Sequence, residues 1–139
     1  MHGKKEYTVR EFMARKVVTV SAAATVVDCA KVMAKRRVSS AVVMEKGAIV
    51  GIVTENDMSR RAVAAGLDCE KSHVRLIMTK GVVTIAPETP IYEAMTRLGR
   101  KRIKHLPVVK NGKLVGIITA MDILRVQPAY IDILSYPLL

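Results

Sequence analysis

Aromatic residues, cysteine and acids are all scarce in this sequence. Aromatics make up 4% of its 139 residues, with no Trp and a single Phe. Stacking of bases on aromatic rings, a common way to hold single-stranded nucleic acid, is therefore weakly supported. The two cysteines are Cys29, among apolar residues of an expected helix, and Cys69, in a polar stretch. They have no C-x-x-C spacing, so neither a disulfide framework nor a metal site is indicated. No run approaches the ~20 apolar residues that span a membrane. The N-terminal MHGKKEYTVREFM lacks the apolar stretch of a signal peptide. The expected setting is soluble, reducing and cytoplasmic, without a membrane contact. His2 and His73 fall in the N-terminal segment and a linker, where solvent is the ordinary environment.

Acids number 12 against 23 Lys and Arg, a formal net charge of +11. Such a balance favours anionic partners: phosphates, nucleic acid or an acidic protein surface. It equally serves solubility. Half of the residues are hydrophobic, so the core is built from Val, Ile, Leu, Met and Ala.

What the sequence does contain is a repeat. Residues 9–58 lie over 74–123 at a constant offset of 65, and 14 of the 50 positions are identical, among them Met13/Met78, Gly51/Gly116, Thr54/Thr119 and Asp57/Asp122. A fixed period names the architectural unit. Two halves of about 50–60 residues are each marginal alone, so one shared core is expected. The division read from the repeat is 9–66, a linker at 67–73, 74–126, and an apolar tail at 127–139 containing Ile131, Ile133, Leu134, Leu138 and Leu139.

Each half reads strand–helix–strand–strand–helix, an α/β plan. The first strands are Val17–Val20 and Val82–Ile85. Thr89 is placed as N-cap with Pro90 at the first helical position. Ile91, Met95 and Leu98 recur at helical spacing, matched by Val26, Ala30 and Met33. Both helices end in bases, Lys35-Arg36-Arg37 and Arg100-Lys101-Arg102, as the helix dipole prefers. Two hairpins follow, turning at Glu45-Lys46-Gly47 and Lys110-Asn111-Gly112. Asn-Gly is the strongest short hairpin signal. The return strands are apolar almost throughout, which suggests burial on both faces. A second helix starts at Thr54 and at Thr119, the first running to Gly66.

The most specific signal is Gly51-Ile52-Val53-Thr54-Glu55-Asn56-Asp57 with its partner Gly116-Ile117-Ile118-Thr119-Ala120-Met121-Asp122. Thr at N-cap with an acid three residues on resembles a capping box, which satisfies free N–H groups and nothing more. The same geometry suits a ligand: a helix start favours phosphate, and an Asp can accept two hydrogen bonds from a vicinal diol such as ribose. Both readings stand on the sequence. A second candidate is Lys104-His105, placed where a strand enters the sheet. Ser39-Ser40 takes that place in the first half. No nucleophile–base pair, paired acids or metal cluster is visible, so no catalysis is expected.

These segments resemble a tandem pair of CBS domains, the cystathionine-β-synthase-type module. They are Val9-Arg10-Glu11-Phe12-Met13, Val74-Arg75-Leu76-Ile77-Met78, Arg37-Val38-Ser39-Ser40-Ala41-Val42-Val43, Arg102-Ile103-Lys104-His105-Leu106-Pro107-Val108-Val109 and the two Gly-x-x-Thr-x-x-Asp stretches. The resemblance covers about residues 9–126. It implies two domains paired sheet to sheet about a pseudo-two-fold axis and clefts between them for AMP, ADP, ATP or S-adenosylmethionine. It also implies homodimerisation and regulation of a partner in trans.

Carried over, one cleft holds Thr54, Asp57, Val83, Ile103, Lys104 and His105; the other holds Val18, Val38, Ser39, Thr119 and Asp122. In each the Asp takes ribose, and Thr54, Lys104 and His105, or Thr119 and Ser39, face phosphate. The first half departs from the pattern in carrying Val42 where the second has Pro107. Three other readings of the same fold are an S-adenosylmethionine binder, a nucleic-acid-associated protein and a purely structural dimerisation module with empty clefts.

Overall fold

The structure, a computed structural model, describes residues 6–131 and 134. His2, Ile133, Leu138 and Leu139 lie outside them. The chain divides into two compact units that do not coincide with the repeats. One is Val17–Val82; the other joins the described residues up to Lys16 to those from Val83 onward.

In the Val17–Val82 unit, β1 (Thr19–Ser21) pairs parallel with β2 (Ser40–Glu45), and β2 pairs antiparallel with β3 (Ala48–Thr54). Helix α2 (Val26–Arg36) connects β1 to β2. Helix α1 (Val9–Phe12) is a short N-terminal turn of the other unit. The Thr25 hydroxyl accepts the Asp28 N–H and caps α2, which ends as Arg37 turns left-handed at φ 55°. The hairpin turn has positive φ at Lys46 (51°) and Gly47 (77°), the twist that matches flanking strands. After Thr54 the chain makes α3 (Glu55–Asp57) and then widens into a π-helical turn, Met58–Val63.

In the other unit, α4 (Ile91–Lys101) leads to β4 (His105–Lys110), antiparallel to β5 (Lys113–Thr119), then α5 (Ala120–Val126). The expected strand Val82–Ile85 is reduced to one parallel bridge, Ile85 to Val108. Helix α4 also starts one residue later than expected, with Pro90 at the cap position and no side-chain cap. The N-terminal segment explains this: the Ile91 N–H donates to the Tyr7 carbonyl, and the Thr89 carbonyl accepts from Val9. The same segment is tied by charge, since Glu88 accepts from both Arg10 and Lys110.

Among the described residues the core lies in two clusters, one in each unit, and each draws on both halves of the sequence. Val26, Cys29, Met33, Val43 and Val53 cluster with Val74, Ile77 and Met78. Met95, Leu98, Leu106, Ile118, Ile123 and Leu134 cluster with Val9 and Met13. Each sheet has thus taken the lead-in segment of the other repeat. The physical reason is area: a buried Val, Ile or Met side chain contributes roughly 1.5–3 kcal/mol, and a half of this size lacks enough of them alone.

Candidate functional site

Both Thr-x-x-Asp segments form capping boxes. The Thr54 hydroxyl accepts the Asp57 N–H at 3.2 Å, and an Asp57 carboxylate oxygen accepts the Thr54 N–H at 3.0 Å. The counterpart distances for Thr119 and Asp122 are 3.1 and 2.9 Å. The capping role is therefore present in full, and any ligand role must be added to it.

The surroundings of the two carboxylates differ. Asp57 is buried, and its carboxylate also receives the Thr54 hydroxyl at 3.2 Å and the Thr79 hydroxyl at 3.3 and 3.4 Å. The Arg61 guanidinium lies 3.7 Å away and donates to the Ile77 and Met78 carbonyls at 3.4 and 3.1 Å. Thr79 and Arg61 carried no signal in the sequence, because neither is repeated at the offset of 65. Asp122 is only half-buried; the Arg125 guanidinium lies 3.8 Å away, and the Asp122 charge acts on His105.

The strand-start residues sit beside these helix starts within their own units. The Glu55 N–H donates to the Ser39 carbonyl, and the Ala120 N–H to the Lys104 carbonyl. Ser40 stands opposite Thr54 in the β2–β3 register, and His105 opposite Thr119 in β4–β5. Burial holds the His105 imidazole below its usual pKa, Lys104 lowers it further, and Asp122 opposes them. A neutral ring beside a lysine is a site that gains a proton when an anion arrives.

The expected residues thus fall into two sets. Val18, Val38, Ser39, Thr54 and Asp57 belong to the Val17–Val82 unit; Val83, Ile103, Lys104, His105, Thr119 and Asp122 belong to the other. The Val18 carbonyl accepts the Val42 N–H, and its side chain packs on its unit's core, as Val83 and Ile103 pack on theirs. An open groove of about 480 Å³ in the Val17–Val82 unit is lined by Ala30, Met33, Ala34, Arg37, Val38, Ser39, Glu55 and Met58. It reaches Val38 and Ser39 but not the Asp57 carboxylate. Among the described residues no His, Cys, Asp and Glu group could hold a metal ion, and no helix is long and apolar enough to cross a membrane.

The family model for the CBS domain matches residues 9–64 and 74–129. The protein MK0525 of Methanopyrus kandleri is 36% identical over 126 residues, 89% of this chain and 64% of that protein. The chain spans about a fifth of the Arabidopsis thaliana CBS domain-containing proteins that it also matches. A CBS-domain protein from Burkholderia ambifaria has a similar structure, with TM-score 0.82 and 31% identity over 88% of this chain and 95% of that one. So does the CBS domain pair of protein MJ0100, solved in complex with 5′-methylthioadenosine and S-adenosyl-L-methionine: TM-score 0.78, 25% identity, 86% of this chain and 98% of that one. The chain belongs to the CBS-domain family and carries two CBS domains in tandem.

Proposed function

We propose that this chain is a non-catalytic regulatory module that binds an adenosine-containing ligand, AMP, ADP or ATP, and acts on a partner protein in trans, as a homodimer in the cytoplasm. The observation that carries the reading is the tandem CBS pair, taken with the adenosine-derived ligands of the similar MJ0100 pair. The site chemistry supports it. An Asp carboxylate suits the ribose diol, and Lys104 and His105 suit phosphate, since hydrogen bonds between charged groups are the stronger ones.

In this reading Lys104, His105, Val83 and Ile103 go with Thr119 and Asp122, and Val18, Val38 and Ser39 with Thr54 and Asp57, a grouping that the backbone pairing within each unit supports. The resemblance alone would instead pair Lys104 and His105 with Asp57. S-Adenosylmethionine is the second reading, favoured by MJ0100. Its cationic sulfonium is a poorer match for a lysine than a phosphate is.

Calorimetric titration of ligand-free protein with AMP, ATP and S-adenosylmethionine at moderate salt tests the reading. Saturable nucleotide binding, lost in the Asp57→Ala, Asp122→Ala double variant, is the expected result. Heat with S-adenosylmethionine alone selects the second reading. Binding to random DNA that falls steeply with salt, with no small-molecule heat, rejects both.

A further inference from the structure

The two Thr-x-x-Asp carboxylates are built on the same backbone but are not equally available. In each unit the lead-in segment of the other repeat lies beside the Gly-x-x-Thr strand. Thr79 and Ile52 exchange N–H···O bonds of 2.8 and 3.0 Å; Ala14 and Ile117 exchange bonds of 2.8 and 2.9 Å. Thr79 and Ala14 are equivalent positions at the offset of 65, so one backbone geometry carries two different side chains. The Thr79 hydroxyl reaches both oxygens of Asp57; the Ala14 methyl can offer Asp122 nothing.

The second difference is Arg61, whose equivalent is Val126. Arg61 is anchored by two main-chain carbonyls while its Nε faces Asp57. A carboxylate has about four acceptor sites. Three of those of Asp57 meet the Thr54 N–H, the Thr54 hydroxyl and the Thr79 hydroxyl, with the Arg61 guanidinium 3.7 Å away. The Asp57 side chain is 10% exposed and that of Asp122 20%, its arginine neighbour being 73% exposed.

We infer that Thr79 closes Asp57 to ligand, so that the chain takes one adenosine ligand, on Asp122, and Thr79 is the positioning residue that sets this stoichiometry. The inference rests on the adenosine-binding reading above. A diol approaching Asp57 must displace a hydroxyl held by a neighbouring strand segment; at Asp122 the equivalent position is Ala14, which has no hydroxyl to displace. The half that keeps its Asp open is also the half with Lys104 and His105, so the ligand that fits is a nucleotide with phosphate.

The experiment is calorimetric titration of the full-length, ligand-free chain with ATP. Wild type is expected to bind one ATP per chain. Thr79→Ala, which keeps the backbone pair at an exposed position, is expected to add a second site. Ala14→Thr, which transplants the hydroxyl to the other unit, is expected to weaken the existing site at least about tenfold, the scale of one hydrogen bond to a charged group. Thr79→Val is the second variant if Thr79→Ala fails to fold by circular dichroism. A merely stabilising role for Thr79 would move the melting temperature without changing the stoichiometry. Two ATP per wild-type chain, or Ala14→Thr binding like wild type, overturns this inference alone. No ATP binding in wild type or in Thr79→Ala overturns it together with the nucleotide reading.

Discussion

The Met13 thioether lies on Gly116, where an added Cβ would stand 2.7 Å from its sulfur and 2.8 Å from the Ala14 carbonyl oxygen. In the other unit Met78 covers Gly51, and the atoms nearest a Cβ there would be those of the Met78 side chain, its sulfur at 2.5 Å and Cγ at 2.8 Å. The identity of both Met and Gly at the offset of 65 now has one cause: a lead-in methionine crosses a glycine strand, and a side chain would push it off.

The two crossings should not cost the same to disturb. A thioether has three rotatable bonds and can withdraw, whereas a paired backbone carbonyl cannot. Gly116→Ala is expected to lose stability at the scale of core overpacking, about 1–3 kcal/mol, and Gly51→Ala less. Urea unfolding of the two variants checks the order; a larger loss for Gly51→Ala would reject the backbone argument.

The proton balance of His105 gives a pH dependence. Burial, aided by Lys104 and opposed by Asp122, holds its folded pKa below the unfolded value of 6.5. Between the two values the unfolded chain binds more protons, so stability rises with pH through that window and is lost on acidification from 6.5 downward. His105→Gln should flatten this part of the stability–pH curve. An unchanged curve would place the titration elsewhere. Phosphate arriving at the ring favours its charged form, so nucleotide binding should take up a proton and strengthen as pH falls from 8 to about 6.

Thiol chemistry separates the two cysteines. Cys29 is fully buried beside Met33, and burial pushes its thiol up to about 11. Cys69 is half-buried, its thiol facing the Leu67 carbonyl. Because the thiolate is the reactive species, a maleimide should modify Cys69 in native protein and Cys29 only after unfolding. Two equally fast modifications by mass spectrometry would show that Cys29 is more accessible than its burial allows.

Some of this was written in the sequence and some was not. The hairpins were legible because Asn111-Gly112 and Lys46-Gly47 fill positive-φ turns. The capping boxes were legible because Thr and Asp three residues apart are local. The exchange of lead-in segments was not: a repeat aligns Val9–Met13 with Val74–Met78 but says nothing of which sheet each joins. The missed cap at Thr89 has the same root, since Tyr7 and Val9 claim the backbone there. Thr79 and Arg61 reach Asp57 from 22 residues away and from a π-helical turn, respectively. Neither contact leaves a periodic trace.

Charge at the strand starts makes the final comparison. Lys104 is exposed and precedes half-buried His105 in one unit; exposed Ser39 precedes buried Ser40 in the other. A lysine gains with each phosphate added to the ligand, while a serine offers one neutral hydrogen bond, so the Lys104 side should respond to polyphosphate length. Lys104→Ala is expected to weaken ATP binding about tenfold or more and AMP binding less, whereas Ser39→Ala changes either by no more than a few-fold. Competition titrations with AMP, ADP and ATP on both variants read the difference. A larger ATP loss from Ser39→Ala would move the phosphate to the Val17–Val82 unit, beside the groove that Ser39 lines, and would leave the Lys104 charge to solvation of the surface.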